Sequence, residues 1–116
     1  MNTPEFWQAV DQLVATSEIV IDRPKGIKHP KVDLIYPLNY GYLASTRSPD
    51  GEGIDVWCGD GGDLACNAIV CTVDLVKRDS EIKLLLGCTD EEIDQIMVVY
   101  SQWDTLKGVL IRRIDC

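Results

Sequence analysis

Hydrophobic positions along this chain follow two rhythms. Phe6, Val10, Leu13 and Val14 recur at three- and four-residue spacing behind Thr3-Pro4-Glu5. A hydroxyl, a proline at the first helical position and an acid at the positive dipole end predict a helix start there. The helix is expected to stop near Thr16 and Ser17, because residues 18–22 switch to the β-branched run Ile19-Val20-Ile21 of a strand. Residues 34–43, LIYPLNYGYL, alternate and would place Tyr36, Leu38, Tyr40 and Tyr42 on one side if extended throughout. Pro37 lacks the N–H that a central strand needs there. Further strands are predicted over 54–58 and 68–76, the latter with Ile69, Cys71, Val73 and Leu75 as its apolar face. The next, 81–86, puts Ile82, Leu84 and Leu86 on one face and Glu81 and Lys83 on the other. Thr89 with Glu92 forms a capping-box pattern ahead of Ile93, Ile96, Met97 and Tyr100 at helical spacing, and residues 109–114 read as a last strand. This order predicts a mainly β chain with flanking helices (α+β), a small barrel-like antiparallel sheet rather than a doubly wound fold.

Composition narrows the picture without changing it. At 116 residues, with 46% hydrophobic and 26% charged positions, residues 1–116 are one globular domain with no internal repeat. The formal charge of -8 has the wrong sign for gripping nucleic-acid phosphates, so no nucleic-acid partner is expected. It suits hard divalent cations, and it admits a small anionic substrate that arrives with a metal. The five cysteines lack the paired short spacing of a zinc or redox motif and read as reduced thiols. The start, MNTPEFWQAV, has no basic stretch leading into an apolar run, and no segment approaches roughly 18 consecutive apolar residues. A cytoplasmic protein with no membrane partner is the expectation.

The densest chemistry lies at Asp50-Gly51-Glu52-Gly53-Ile54-Asp55, three carboxylates within six residues, with two glycines that let the backbone bend. Such acids converge either around a divalent cation or merely as a solvated turn. Residues 23–31 gather Arg23, Lys25, Lys28 and Lys31 into a loop that is solvated or serves as a phosphate clamp. The single histidine, His29, has no neighbouring nucleophile and reads as an exposed loop residue, which leaves a Ser-His-Asp mechanism without support.

Tyr36-Pro37-Leu38-Asn39-Tyr40-Gly41-Tyr42, followed by Asp50-Gly-Glu-Gly-Ile-Asp55-Val56, resembles the single-domain, magnesium-dependent soluble inorganic pyrophosphatases. In that family a YPxNYGY segment leads into a DxDxxD signature. The resemblance runs roughly over residues 19–83 and implies an OB-like five-stranded barrel with helices packed outside. It implies Asp50, Glu52, Asp55, Asp79 and Glu81 as metal ligands, with Glu52 and Asp55 catalytic and the middle acid orienting the attacking water. Lys83, Tyr36, Tyr40 and Tyr100 would face the phosphates, although each tyrosine reads equally as core packing. The implied cofactor is Mg²⁺, with Mn²⁺ as another divalent cation of the same kind. The implied reaction is hydrolysis of inorganic pyrophosphate by a metal-activated water, and assembly into a homo-oligomer is open.

The departures from the pattern are specific. Glu52-Gly53 stands where the family has Asp-Pro, Asp79 and Glu81 are closer together than usual, and Glu18 and Ser101 occupy places where lysines are expected. Lys25, Lys28, Lys31 or Arg47 could replace the missing positive charge. Two further readings therefore stand beside pyrophosphate hydrolysis: a hydrolase of another phosphoanhydride or phosphate ester, and a catalytically degenerate module that binds a ligand or cation.

Overall fold

The computed structural model describes residues 3–49 and 51–114. Helix α1 runs Pro4–Ala15, capped by the Thr3 hydroxyl, which accepts from the Phe6 N–H. Strands β1 (Ile19–Arg23), β2 (Asn39–Leu43), β3 (Ile54–Cys58), β4 (Cys66–Asp74) and β5 (Asp79–Leu86) follow, then α2 (Asp90–Val99) and β6 (Leu106–Arg112). The tyrosine segment becomes a strand only from Asn39. Residues before Pro37 instead fold back within the β1–β2 loop, through an isolated bridge between Lys28 and Ile35 and backbone hydrogen bonds that tie Leu34 and Tyr36 to residues 26–29.

The six strands form one sheet in the order β1-β2-β3-β5-β4-β6. All neighbours are antiparallel except β3 and β5, which run parallel because the chain crosses over through β4. The mainly β architecture with two flanking helices is as expected, while the parallel β3–β5 pair departs from a wholly antiparallel sheet and the strand count from five. The last strand adds to the free side of β4 as a sixth. The YGY glycine leaves no room for a side chain against β1: a Cβ on Gly41 would lie 1.8 Å from the Val20 carbonyl oxygen.

Strand alternation divides the apolar residues between two layers. On one face Trp7 and Val10 of α1 pack over Val56, Ile69, Leu84 and Leu86. On the other, Ile93, Ile96 and Val99 of α2 pack over Trp57, Val70 and Leu85, with Tyr36 and Leu38 closing the cluster. The capping box forms, the Thr89 hydroxyl accepting from the Glu92 N–H while the Glu92 carboxylate accepts from the Thr89 N–H. Toward their far ends the outer face of β4 and β5 runs past the cover of α1, so Val73 and Ile82, both expected on apolar faces, are exposed. Cys58, Cys66, Cys71 and Cys88 are free thiols, as expected, and Cys116 lies outside the described residues. Among the described residues no helix is long and apolar enough to cross a membrane.

Candidate functional site

The parallel β3–β5 contact builds the site. Its register pairs Val56 with Leu84, which sets Asp55 beside Lys83 although the two are 28 residues apart. Glu81, two residues before Lys83 on β5, shares its face, and Tyr40 of β2 reaches over from the strand flanking β3. The Lys83 ammonium donates to Asp55 Oδ2 at 2.5 Å and to Glu81 Oε2 at 3.1 Å. The Tyr40 hydroxyl donates to the same Asp55 oxygen at 2.6 Å and lies 3.4 Å from Lys83 Nζ. Lys83 is only 8% exposed.

Burial is the strongest single influence on Lys83 and opposes its charge. Tyr100, Asp55 and Glu81 together overcome it and hold the ammonium's pKa above its ordinary value. Burial likewise lifts the phenols of Tyr36 and Tyr40, the latter well above the usual range, with Asp55 adding to both. Tyr100 is pushed up to about 12, mainly by burial. All three phenols are therefore neutral donors at neutral pH.

Lys83, Glu81 and the three tyrosines line a cleft of about 370 Å³, and Asp55, bonded to Lys83 and Tyr40, lies just outside that lining. Aromatic rings form one wall: Tyr40 sits edge-on to Trp57 at 4.6 Å, Tyr36 lies 5.4 Å from Tyr40, and Trp57 donates its indole N–H to the Tyr100 hydroxyl at 3.1 Å. Tyr36, Tyr40 and Tyr100 thus serve both readings at once, as core packing and as cleft lining.

Of the residues expected at the site, Asp55, Glu81, Lys83, Tyr36, Tyr40 and Tyr100 come together. Glu52 is exposed on the turn before β3, its carbonyl accepting from Ser48, and does not line the cleft. The family's proline at the next position would not fit here, since any Cβ on Gly53 would lie 2.5 Å from the Leu43 carbonyl oxygen. Asp79 opposes Asp74 across the β4–β5 hairpin and borders a separate shallow hollow with Arg78. Asp50 lies outside the described residues.

Among the described residues no three His, Cys, Asp or Glu side chains converge as a metal cluster would require. Asp55 and Glu81 nevertheless aim at one point, and a cation, the Lys83 ammonium, already stands there. Two converging carboxylates match the donor set of Mg²⁺, which takes one or two and leaves the rest to water and phosphate. Their number would suit one such cation and not several, and only with the Lys83 ammonium displaced from between them.

The basic loop residues fall elsewhere. Lys25 pairs with Asp60 at 2.7 Å, Arg47 borders a groove beside α1, and Lys28 and Lys31 do not line the cleft. The cation at the mouth is Lys77, in the turn between β4 and β5, which the sequence reading missed. His29 is half-buried rather than exposed. Its Nδ1 accepts from the N–H groups of Lys31 and Val32, and its ring stacks parallel to Tyr36 at 6.2 Å. Burial, then Arg23 and Lys31, hold its pKa below the ordinary value, so it is neutral at pH 7 with the proton on Nε2.

No protein-family model matches this chain, and no curated protein matches it in sequence. Among solved structures, an inorganic phosphatase from Anaplasma phagocytophilum is similar, with a TM-score of 0.53 at 15% identity. The match covers 83% of this chain and 74% of that one. It is a likeness of fold, and the fold is one that carries a phosphatase in that protein.

Proposed function

We propose that this chain is a metal-dependent hydrolase of phosphoanhydrides with inorganic pyrophosphate as its substrate. The observation that carries the reading is the cleft floor, where one buried lysine is shared between two carboxylates beneath a tyrosine hydroxyl. Asp55 and Glu81 hold the cation. Mg²⁺ bound there supplies Lewis acidity and offsets phosphate charge. Asp55 Oδ1 makes no hydrogen bond to the described residues and accepts from the attacking water, the role that the resemblance gave to Glu52. Lys83, held charged, stabilises the departing phosphate, and the neutral Tyr40 hydroxyl adds a donor without adding charge.

The test is phosphate release from pyrophosphate with Mg²⁺, beside an EDTA control and Asp55→Asn. The expected result is turnover that needs the metal and falls at least about 100-fold in the variant. Wild-type turnover no greater than the variant's would sink hydrolysis. One observation favours a second reading, a module that binds phosphate compounds without turnover: Lys83 already engages both acids of the floor. Calorimetric binding of pyrophosphate without release of phosphate would select it.

A further inference from the structure

The cleft has two unlike halves. Lys83, Glu81, Tyr40 and Thr72 make its floor, whereas Leu34, Val99, Trp103 and Leu106 make an apolar wall that an inorganic anion has no means of using. Both the volume and the mixture of mostly apolar lining with a few convergent polar groups are those of a site for an organic ligand. Three loops bring the wall to the mouth: the β1–β2 loop with Val32, the β4–β5 turn with Val76 and Lys77, and the α2–β6 segment with Trp103. Val32 and Val76 are 39% and 75% exposed. Trp7 and Trp57 are sealed in the two cores, while Trp103 is half-buried and keeps an accessible face. Lys77 at the same mouth makes no ion pair among the described residues.

A flat apolar group joined to a phosphate chain would use the two halves together. We propose that the cleft binds a nucleoside diphosphate, its base against Trp103 and Leu34 and its phosphates toward Lys83 and Lys77. The inference rests on the reading of the Lys83 floor as a phosphate site, and it extends that reading from the inorganic anion to a nucleotide. Base stacking on an accessible indole tolerates any base, so the class is set by the phosphates and the flat ring rather than by one nucleobase.

The experiment is calorimetric titration of the full chain with ADP, pyrophosphate and adenosine, each with Mg²⁺. ADP is expected to bind at least about tenfold tighter than pyrophosphate, the scale of one base–aromatic stack, and adenosine more weakly than ADP. Trp103→Ala should bring the ADP-to-pyrophosphate preference close to unity, and Trp103→Phe should keep most of it. Pyrophosphate binding as tightly as ADP would overturn the proposal and leave the phosphate site standing. Failure of both to bind would overturn the two readings together. The wild-type comparison decides even if Trp103→Ala does not fold.

Discussion

Lys83→Met tests the cleft floor most directly. Methionine keeps an unbranched stem of similar length, so packing against the surrounding rings is largely preserved while the charge goes. Asp55 and Glu81, whose side chains are 23% and 9% exposed, would then face each other across the space the ammonium occupied. Removing one partner of a buried ion pair costs about 3–5 kcal/mol, because the remaining charge is left without compensation. That is a large part of the roughly 5–15 kcal/mol that holds a domain together. For 116 residues the unfolding entropy is about 0.24 kcal/mol/K, so the variant should melt about 12–20 °C lower. Thermal unfolding followed by circular dichroism at pH 7 measures it. The sign of a second substitution separates charge from packing: Asp55→Asn in the Lys83→Met background should restore about 1–3 kcal/mol, because it removes one uncompensated carboxylate. A Lys83→Met loss below about 1 kcal/mol, or a double variant less stable than the single, would refute the reasoning.

Two further outcomes follow from other parts of the fold. Burial holds the Cys88 thiol up at about 12 and Cys66 at about 11, and it raises the Tyr40 and Tyr100 phenols, so folding favours the protonated form of each. Their contribution is complete below the unfolded values, about 8.5 for cysteine and 10 for tyrosine, and is lost as pH rises from there toward the folded values. Lys83, also raised, acts in the same direction above about 10.4, so the melting temperature should fall steeply from about pH 9; a flat profile to pH 11 would contradict this. Glu92→Ala should lose about 3 kcal/mol in urea unfolding, since its carboxylate accepts from both the Thr89 and the Asp60 N–H, whereas Glu92→Gln, which keeps an acceptor, should lose less.

How far the site was legible depended on whether its contacts are local. Glu81 and Lys83 share a face by strand alternation, and Thr89 with Glu92 caps a helix by spacing alone, so both were readable. The Asp55–Lys83 pair needs the parallel β3–β5 register, a long-range choice that no local pattern encodes. The second bond of Glu92, to Asp60, likewise depends on where the β3–β4 turn docks. Asp79 is a metal ligand only by the family resemblance, and it lies at the β4–β5 hairpin end, outside the cleft, because a motif position says nothing of how far along a strand a site extends. Lys77 and Trp103 sit in a turn and a loop, where periodicity is silent and only the folded chain brings them to one mouth.

The charge arrangement of the floor explains how an acidic chain could still take an anion. Two carboxylates against one ammonium give the Lys83 cluster a formal charge of -1 in a protein of -8, so a phosphate chain would gain there only when a cation accompanies it. The Lys83 ammonium bonds to Asp55, Glu81 and Tyr40, so a phosphate would recruit it by replacing one of them. The 3.4 Å contact with Tyr40 is the longest and the only neutral one, hence the easiest to exchange. A cation that takes over part of the Asp55 and Glu81 charge loosens the other two at the same moment. On the proposed function, metal and phosphate binding would thereby be coupled through Lys83: each would make room for the other on a group that is occupied in holding Asp55 and Glu81 together.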